Sequence, residues 1–132
     1  MAVANNGILY RPMLVDRVVA VDGATIQTYP PEVLHTVYLK PETWNIIKNG
    51  LVAVTTKGTA ATVFQGFSPT IAGKTGSAET GNGTVHSWFS CYAPADNPEI
   101  VVSVLVEEGG DGSVSAAPVA RKILEAYFGS RK

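Results

Sequence analysis

Ala72-Gly73-Lys74-Thr75-Gly76-Ser77-Ala78-Glu79 gathers a cation, two hydroxyls and two glycines within a few residues. Two chemistries use such a set. A phosphate-binding loop, G-x-x-x-x-G-K-[ST], matches Gly73-Lys74-Thr75 at its end, but its opening glycine falls on Ser68. Such a loop must also open a helix, whose N-terminus holds the phosphate. Here Gly76 and then Gly81-Asn82-Gly83 follow, which is turn chemistry. The second reading is Lys-Thr-Gly on a strand. Gly76 has no Cβ, so a substrate backbone can lie against it. Thr75 and Ser77, two apart, put hydroxyls on one face and can hold a carboxylate. Lys74 supplies a positive charge where an anionic end would dock. An ideal strand sends Lys74 to the face opposite Thr75, so twist at Gly73 or Gly76 must turn it toward the site. A peptide could then pair with the strand through main-chain hydrogen bonds.

Other residues have plainer readings. Trp88 and Phe89 fall on opposite faces of one strand, and at least one belongs to the core. His86 starts that strand as a polar edge residue. With His35 far away in sequence, no metal cluster is indicated. Glu107 and Glu108 face opposite ways and read as solvated. Cys91, the single cysteine, reads as a small buried hydrophobe and excludes a disulfide framework. Gly58-Thr59-Ala60 reads as a helix stop, and Gly109-Gly110-Asp111-Gly112 as a mobile loop with no ligand implied.

The elements that must position these residues follow from periodicity and turn signals. Residues 8–11 are a short extended piece stopped by Pro12. Residues 13–21 and 24–29 flank Asp22-Gly23 as a hairpin ended by Pro30-Pro31. A helix starts at Pro41, with Glu42 in its first turn. Trp44, Ile47, Leu51 and Val54 share one of its faces, and Gly58 ends it. Residues 59–64 fit one helical turn, which the sequence leaves open. Strands are expected over residues 70–79, 87–93 and 99–107. A helix is expected over residues 115–128, with Ala116, Val119, Ala120, Ile123 and Tyr127 on one face and Pro118 in the first turn. The expected fold class is α/β of the α+β type: an antiparallel meander with a packed C-terminal helix, preceded by a hairpin and a helix.

Ile100-Val101-Val102-Ser103-Val104-Leu105-Val106 is nearly continuous apolar sequence, as in a strand covered on both faces. In a three-strand meander it would be the outer strand, and an exposed apolar edge invites association. The expected neighbour is the upstream hairpin, residues outside this chain, or another chain, and strand-mediated self-association follows from the last. Met1-Ala2-Val3-Ala4-Asn5-Asn6-Gly7 has neither the basic nor the apolar region of a signal peptide. It reads as a last helical turn with Gly7 at C′, so the chain is expected to be cut from something longer.

The 132 residues are 45% apolar and 16% charged, with ten Lys and Arg against eleven Asp and Glu. That length can bury roughly two thirds of its unfolded surface. A net charge of −1 excludes nucleic-acid or anionic-membrane binding through bulk charge. The same balance with ample apolar content excludes disorder. No apolar run approaches the roughly 18 residues needed to span a bilayer.

Four segments together resemble a known family. They are Ala2-Val3-Ala4-Asn5-Asn6-Gly7-Ile8-Leu9-Tyr10-Arg11-Pro12; Ile71-Ala72-Gly73-Lys74-Thr75-Gly76-Ser77-Ala78-Glu79; His86-Ser87-Trp88-Phe89 with Tyr92-Ala93-Pro94; and Val106-Glu107-Glu108-Gly109-Gly110 before Ala116-Ala117-Pro118-Val119. The chain resembles the transpeptidase domain of class B penicillin-binding proteins of the penicillin-binding protein 2 type, used in elongation. Lys-Thr-Gly accompanies Ser-x-x-Lys and a Ser-Asp-Asn type motif in that serine acyl-transferase set. The resemblance implies part of the serine β-lactamase/transpeptidase fold. It implies a membrane-anchored parent, working outside the cytoplasmic membrane, that cross-links peptidoglycan stem peptides and is acylated by β-lactams. It implies no cofactor. Lys74 would organise the proton network and attract the carboxylate, while Thr75 and Ser77 would bind it. The Ser77 backbone N–H would be one oxyanion-hole donor. Gly76, Ala78 and Trp88 would line the substrate, and the region of Gly58-Thr59-Ala60 would approach the cleft.

No Ser in the chain has Lys three residues on, and no Ser-x-Asn occurs. The resemblance therefore covers a C-terminal part of the domain, residues 1–132, incomplete on its N-terminal side. That part provides one wall of a site whose nucleophile comes from the rest of its own domain. Two alternatives stand beside this. One is a non-catalytic module binding β-lactams or peptidoglycan peptides, and the other an α+β interaction domain with a coincidental Lys-Thr-Gly.

Overall fold

The computed structural model describes residues 1–129, which form two compact units, Met1–Leu39 and a second beginning at Lys40.

The first unit opens on a tight turn in which the Gly7 N–H donates to the Ala2 carbonyl at 2.8 Å. Residues 2–7 are turns rather than the expected last turn of a helix, with Asn6 (φ 52°) and Gly7 (φ 97°) both in the left-handed region. Asn tolerates that region because its short side chain bonds locally. Strand β1 (Ile8–Tyr10) pairs antiparallel with β4 (Val33–Thr36), placing Leu9 opposite His35. The β4 strand is not among the sequence expectations. Between these strands β2 (Arg17–Val19) and β3 (Thr25–Thr28) form the expected hairpin, shorter than residues 13–21 and 24–29. The turn closes with the Gly23 N–H on the Ala20 carbonyl and Gly23 at φ 87°, a conformation glycine adopts freely. Residues 13–15 stay outside the ladder. Arg11 and Glu32 pair through two hydrogen bonds of 2.6 and 3.0 Å, which raises the arginine pKa and lowers that of the carboxylate.

In the second unit, α1 (Pro41–Thr56) starts at the proline, whose missing N–H costs nothing in a first turn. Trp44, Ile47, Leu51 and Val54 are all partly covered, as the spacing requires, and Thr55 is buried with its hydroxyl on the Ile71 carbonyl at 2.6 Å. A single turn, α2 (Ala61–Phe64), follows. Strands β5 (Ala72–Glu79), β6 (Val85–Ala93) and β7 (Ile100–Val106) form the expected meander, in the order β5-β6-β7. Helix α3 (Ala116–Gly129) packs on β6 and β7.

The core lies on the sheet face carrying Phe89, Cys91, Val102 and Val104, closed by Phe64 of α2 and by Ala116, Ala117, Ala120 and Leu124 of α3. Phe64 stacks on Phe89 with ring centroids 5.4 Å apart. Complete burial of Phe89 and Leu124 contributes about 1.5–3 kcal/mol each. The same burial pushes the Cys91 thiol up to about 12 and makes it the small hydrophobe the sequence suggests.

Three expectations are corrected. The buried stripe of α3 is Ala116, Ala120 and Leu124, while Val119 and Ile123 stand 42% exposed. Alanines let the helix backbone approach the sheet, which outweighs the larger side chains one position away. Strand β7 is covered on one face, not two: Val102 and Val104 are buried, whereas Val101 and Leu105 are 44% exposed. Its apolar run thus carries an ordinary period of two. Among the described residues no strand pairs with its outer side. Third, the glycine-rich loop after β7 is pinned. The Ser87 hydroxyl, fully buried, donates to the Asp111 carbonyl at 3.0 Å and accepts the Ala116 N–H at 3.1 Å. Asp111 Oδ1 accepts from the Ser113 N–H and hydroxyl, which holds its carboxyl below the usual range.

Candidate functional site

Among the described residues β5 is an edge strand, and its register on β6 sorts the candidate residues. Directly opposed residues share a face. Thr75 lies opposite Phe89 and Ser77 opposite Ser87, so both hydroxyls stand on the face that carries the core. Lys74 lies opposite Ser90, Gly76 opposite Trp88, and Ala78 opposite His86, all on the other face. Thr75 and Gly76 are half-covered, while Lys74, Ser77 and Ala78 are exposed.

The structure brings part of the predicted set together. The Lys74 ammonium donates to the Thr75 carbonyl at 2.6 Å. The length of the side chain, rather than a flip of the strand at a glycine, carries the charge to the strand edge. In an antiparallel ladder the main-chain groups of alternate residues point the same way. Gly73, Thr75 and Ser77 share one parity, and the Thr75 carbonyl is open enough to take an ammonium. Trp88 is not gathered with the two hydroxyls. It stays 39% exposed on the Lys74 face, while Phe89 is the core residue of that pair.

Glycines set the clearances. A Cβ on Gly73 would meet the Phe89 ring at 2.7 Å, so the ring packs over the strand because that side chain is missing. A Cβ on Gly76 would stand 3.3 Å from the Trp88 Cβ. Gly112 lies closest of all: a Cβ there would come within 2.3 Å of the Trp88 carbonyl and 2.7 Å of the Gly76 carbonyl. The pinned loop thus braces the centre of the Lys-Thr-Gly strand from the α3 side.

Sequence reasoning named one further residue without pairing it to the strand. Thr59, read as part of a helix stop, brings its hydroxyl within 3.0 Å of the Thr75 hydroxyl. The signal available was two threonines at the ends of adjacent elements, and nothing in their spacing of 16 joins them. His86 accepts the Glu108 N–H at Nδ1 (3.0 Å), consistent with an edge residue. No group of three or more metal-ligating side chains occurs among the described residues. A groove of about 630 Å³ lined by Leu14, Val18 and Tyr29 lies within Met1–Leu39 and includes none of the Lys-Thr-Gly residues.

The family model described as the penicillin binding protein transpeptidase domain matches residues 1–125. The chain belongs to the penicillin-binding protein transpeptidase family. Among curated relatives, it is 33% identical to the peptidoglycan D,D-transpeptidase MrdA of Haemophilus influenzae, over 96% of this chain and 22% of that protein. It is 37% identical to penicillin-binding protein 2A of Bacillus subtilis, over 96% of this chain and 20% of the relative. The chain therefore spans about a fifth of the length of these relatives. Among solved structures, the D,D-transpeptidase domain from Eggerthella lenta superposes with a TM-score of 0.82 at 31% identity, covering 98% of this chain and 30% of that one. The imipenem acyl-enzyme complex of penicillin-binding protein A from M. tuberculosis superposes with a TM-score of 0.79 at 32% identity, covering 96% and 28%. The mixed fold with its antiparallel sheet and C-terminal helix is thus that of transpeptidase domains. No helix of the described residues is long and apolar enough to cross a membrane.

Proposed function

We propose that this chain is the C-terminal part of the transpeptidase domain of a peptidoglycan D,D-transpeptidase, and that it supplies the Lys-Thr-Gly wall of the site. The parent is a serine acyl-transferase, anchored in the membrane by a segment outside this chain and acting on its outer face. The observation that carries the reading is the Lys74 ammonium on the Thr75 carbonyl at the edge of β5, with both site hydroxyls on alternate positions of the same strand.

A peptide or β-lactam lying along that edge would add a strand through main-chain hydrogen bonds. Lys74 attracts the substrate carboxylate and organises the proton network, and the Thr75 and Ser77 hydroxyls hold that carboxylate. Gly76 lets the ligand backbone approach, Ala78 continues the edge, and Trp88 flanks it from the Lys74 face. The Ser77 N–H is one of two donors to the developing oxyanion, a contribution of about 3–4 kcal/mol to the barrier. The other donor and the nucleophile come from the rest of the domain, because this sequence has no Ser-x-x-Lys and no Ser-x-Asn. The segment alone does not acylate.

The test is acylation of the full-length protein by penicillin, followed by intact mass. Lys74→Ala is expected to slow acylation about 100-fold. An unchanged rate would return the motif to coincidence, and a covalent adduct on the 132-residue chain by itself would show that the nucleophile lies within it.

A further inference from the structure

Thr59 sits between two residues packed closely against the end of α1. A Cβ on Gly58 would meet the Val54 Cα at 2.9 Å and the Ala53 carbonyl at 3.0 Å, so the chain turns directly against the end of α1. Ala60 is fully buried, and its N–H donates to the Val54 carbonyl at 3.0 Å. Thr59 itself is exposed, and its hydroxyl stands 3.0 Å from that of Thr75. Each hydroxyl has one proton. If Thr75 gave its proton to Thr59, it could only accept and would repel a carboxylate. If Thr59 donates, the Thr75 proton is free to point outward.

We infer that Thr59 is a positioning residue: it donates to Thr75 Oγ1 and so aims the Thr75 proton at the carboxylate of the bound substrate. This rests on the proposed role of β5. Chained hydroxyls polarise one another, so the outward bond is strengthened as well as oriented. The closely packed flanks hold this arrangement before ligand arrives, which lowers the ordering cost of binding.

The experiment measures acylation of the full-length protein by penicillin and by penicillin methyl ester, which lacks the carboxylate. It compares Thr59→Val, Thr59→Ser and Thr75→Val. Thr59→Val is expected to slow acylation by the acid about five- to tenfold, the size of one modest hydrogen bond. It should leave the ester rate within about twofold, and Thr59→Ser should restore the acid rate. Equal slowing of acid and ester by Thr59→Val, or no recovery with Ser, would reduce Thr59 to a structural residue and overturn the inference. So would a Thr59→Val protein as fast as the original while Thr75→Val is slow, leaving the site reading intact. If Thr75→Val is also without effect, the site reading fails and the inference with it.

Discussion

In Met1–Leu39 the strands pair two at a time, and Val18, Val19, Ile26, Val33 and Leu34 all stay exposed. From Lys40 onward three strands share one ladder and bury Phe89, Cys91, Val102 and Val104 under α2 and α3. Both regions are rich in β-branched residues, so propensity does not separate them. What separates them is a second layer. A two-stranded ribbon is marginal in water, whereas a sheet backed by a helix buries enough apolar area to stand. The first unit is held by turn geometry, short ladders and the Arg11–Glu32 fork, an exposed pair worth little by itself. The second is held by packing, and it carries the candidate site on its edge.

The contrast makes a graded set of predictions, each read by urea unfolding of the chain unless stated otherwise. Phe89→Ala empties the centre of the core and should cost about 3–5 kcal/mol. A cost below about 1 kcal/mol would mean that the second unit is not packing-limited. Ser87→Ala strands the Ala116 N–H and frees the Asp111 carbonyl, for an expected loss of about 1–3 kcal/mol. Gly23→Ala forces a Cβ into φ 87° with open space around it. It should cost about 1–2 kcal/mol, seen locally as faster amide exchange at Gly23 and Ala24 with no change at Phe89. Leu14→Ser, at a fully exposed position, should stay within about 0.5 kcal/mol. A larger loss there would give the first unit a packing role that its exposure denies.

Much of the second unit was legible in its residues. Pro41 with the Trp44, Ile47, Leu51 and Val54 spacing specifies α1, and Gly81-Asn82-Gly83 and Pro94 cut the meander into its strands. That the Lys-Thr-Gly segment lies on a strand was legible because turn residues, not a helix, follow it. Strand β4 was not, because its ladder to β1 closes over more than twenty residues without a turn signal of its own. The face of α3 was misjudged because periodicity weighs Val119 and Ile123 above Ala117 and cannot see that small side chains admit the sheet. The contact of Thr59 with Thr75 was illegible for a simpler reason: it is set by the packing of α1 beside β5, a tertiary fact.

Amide hydrogen exchange of the full-length protein, before and after acylation by penicillin, tests the central claim most directly. A ligand lying along the edge of β5 should slow exchange at Thr75 and Ser77 and leave residues 17–28 of the hairpin unchanged. Unaltered exchange across residues 73–79 in the fully acylated protein would contradict a site walled by this strand.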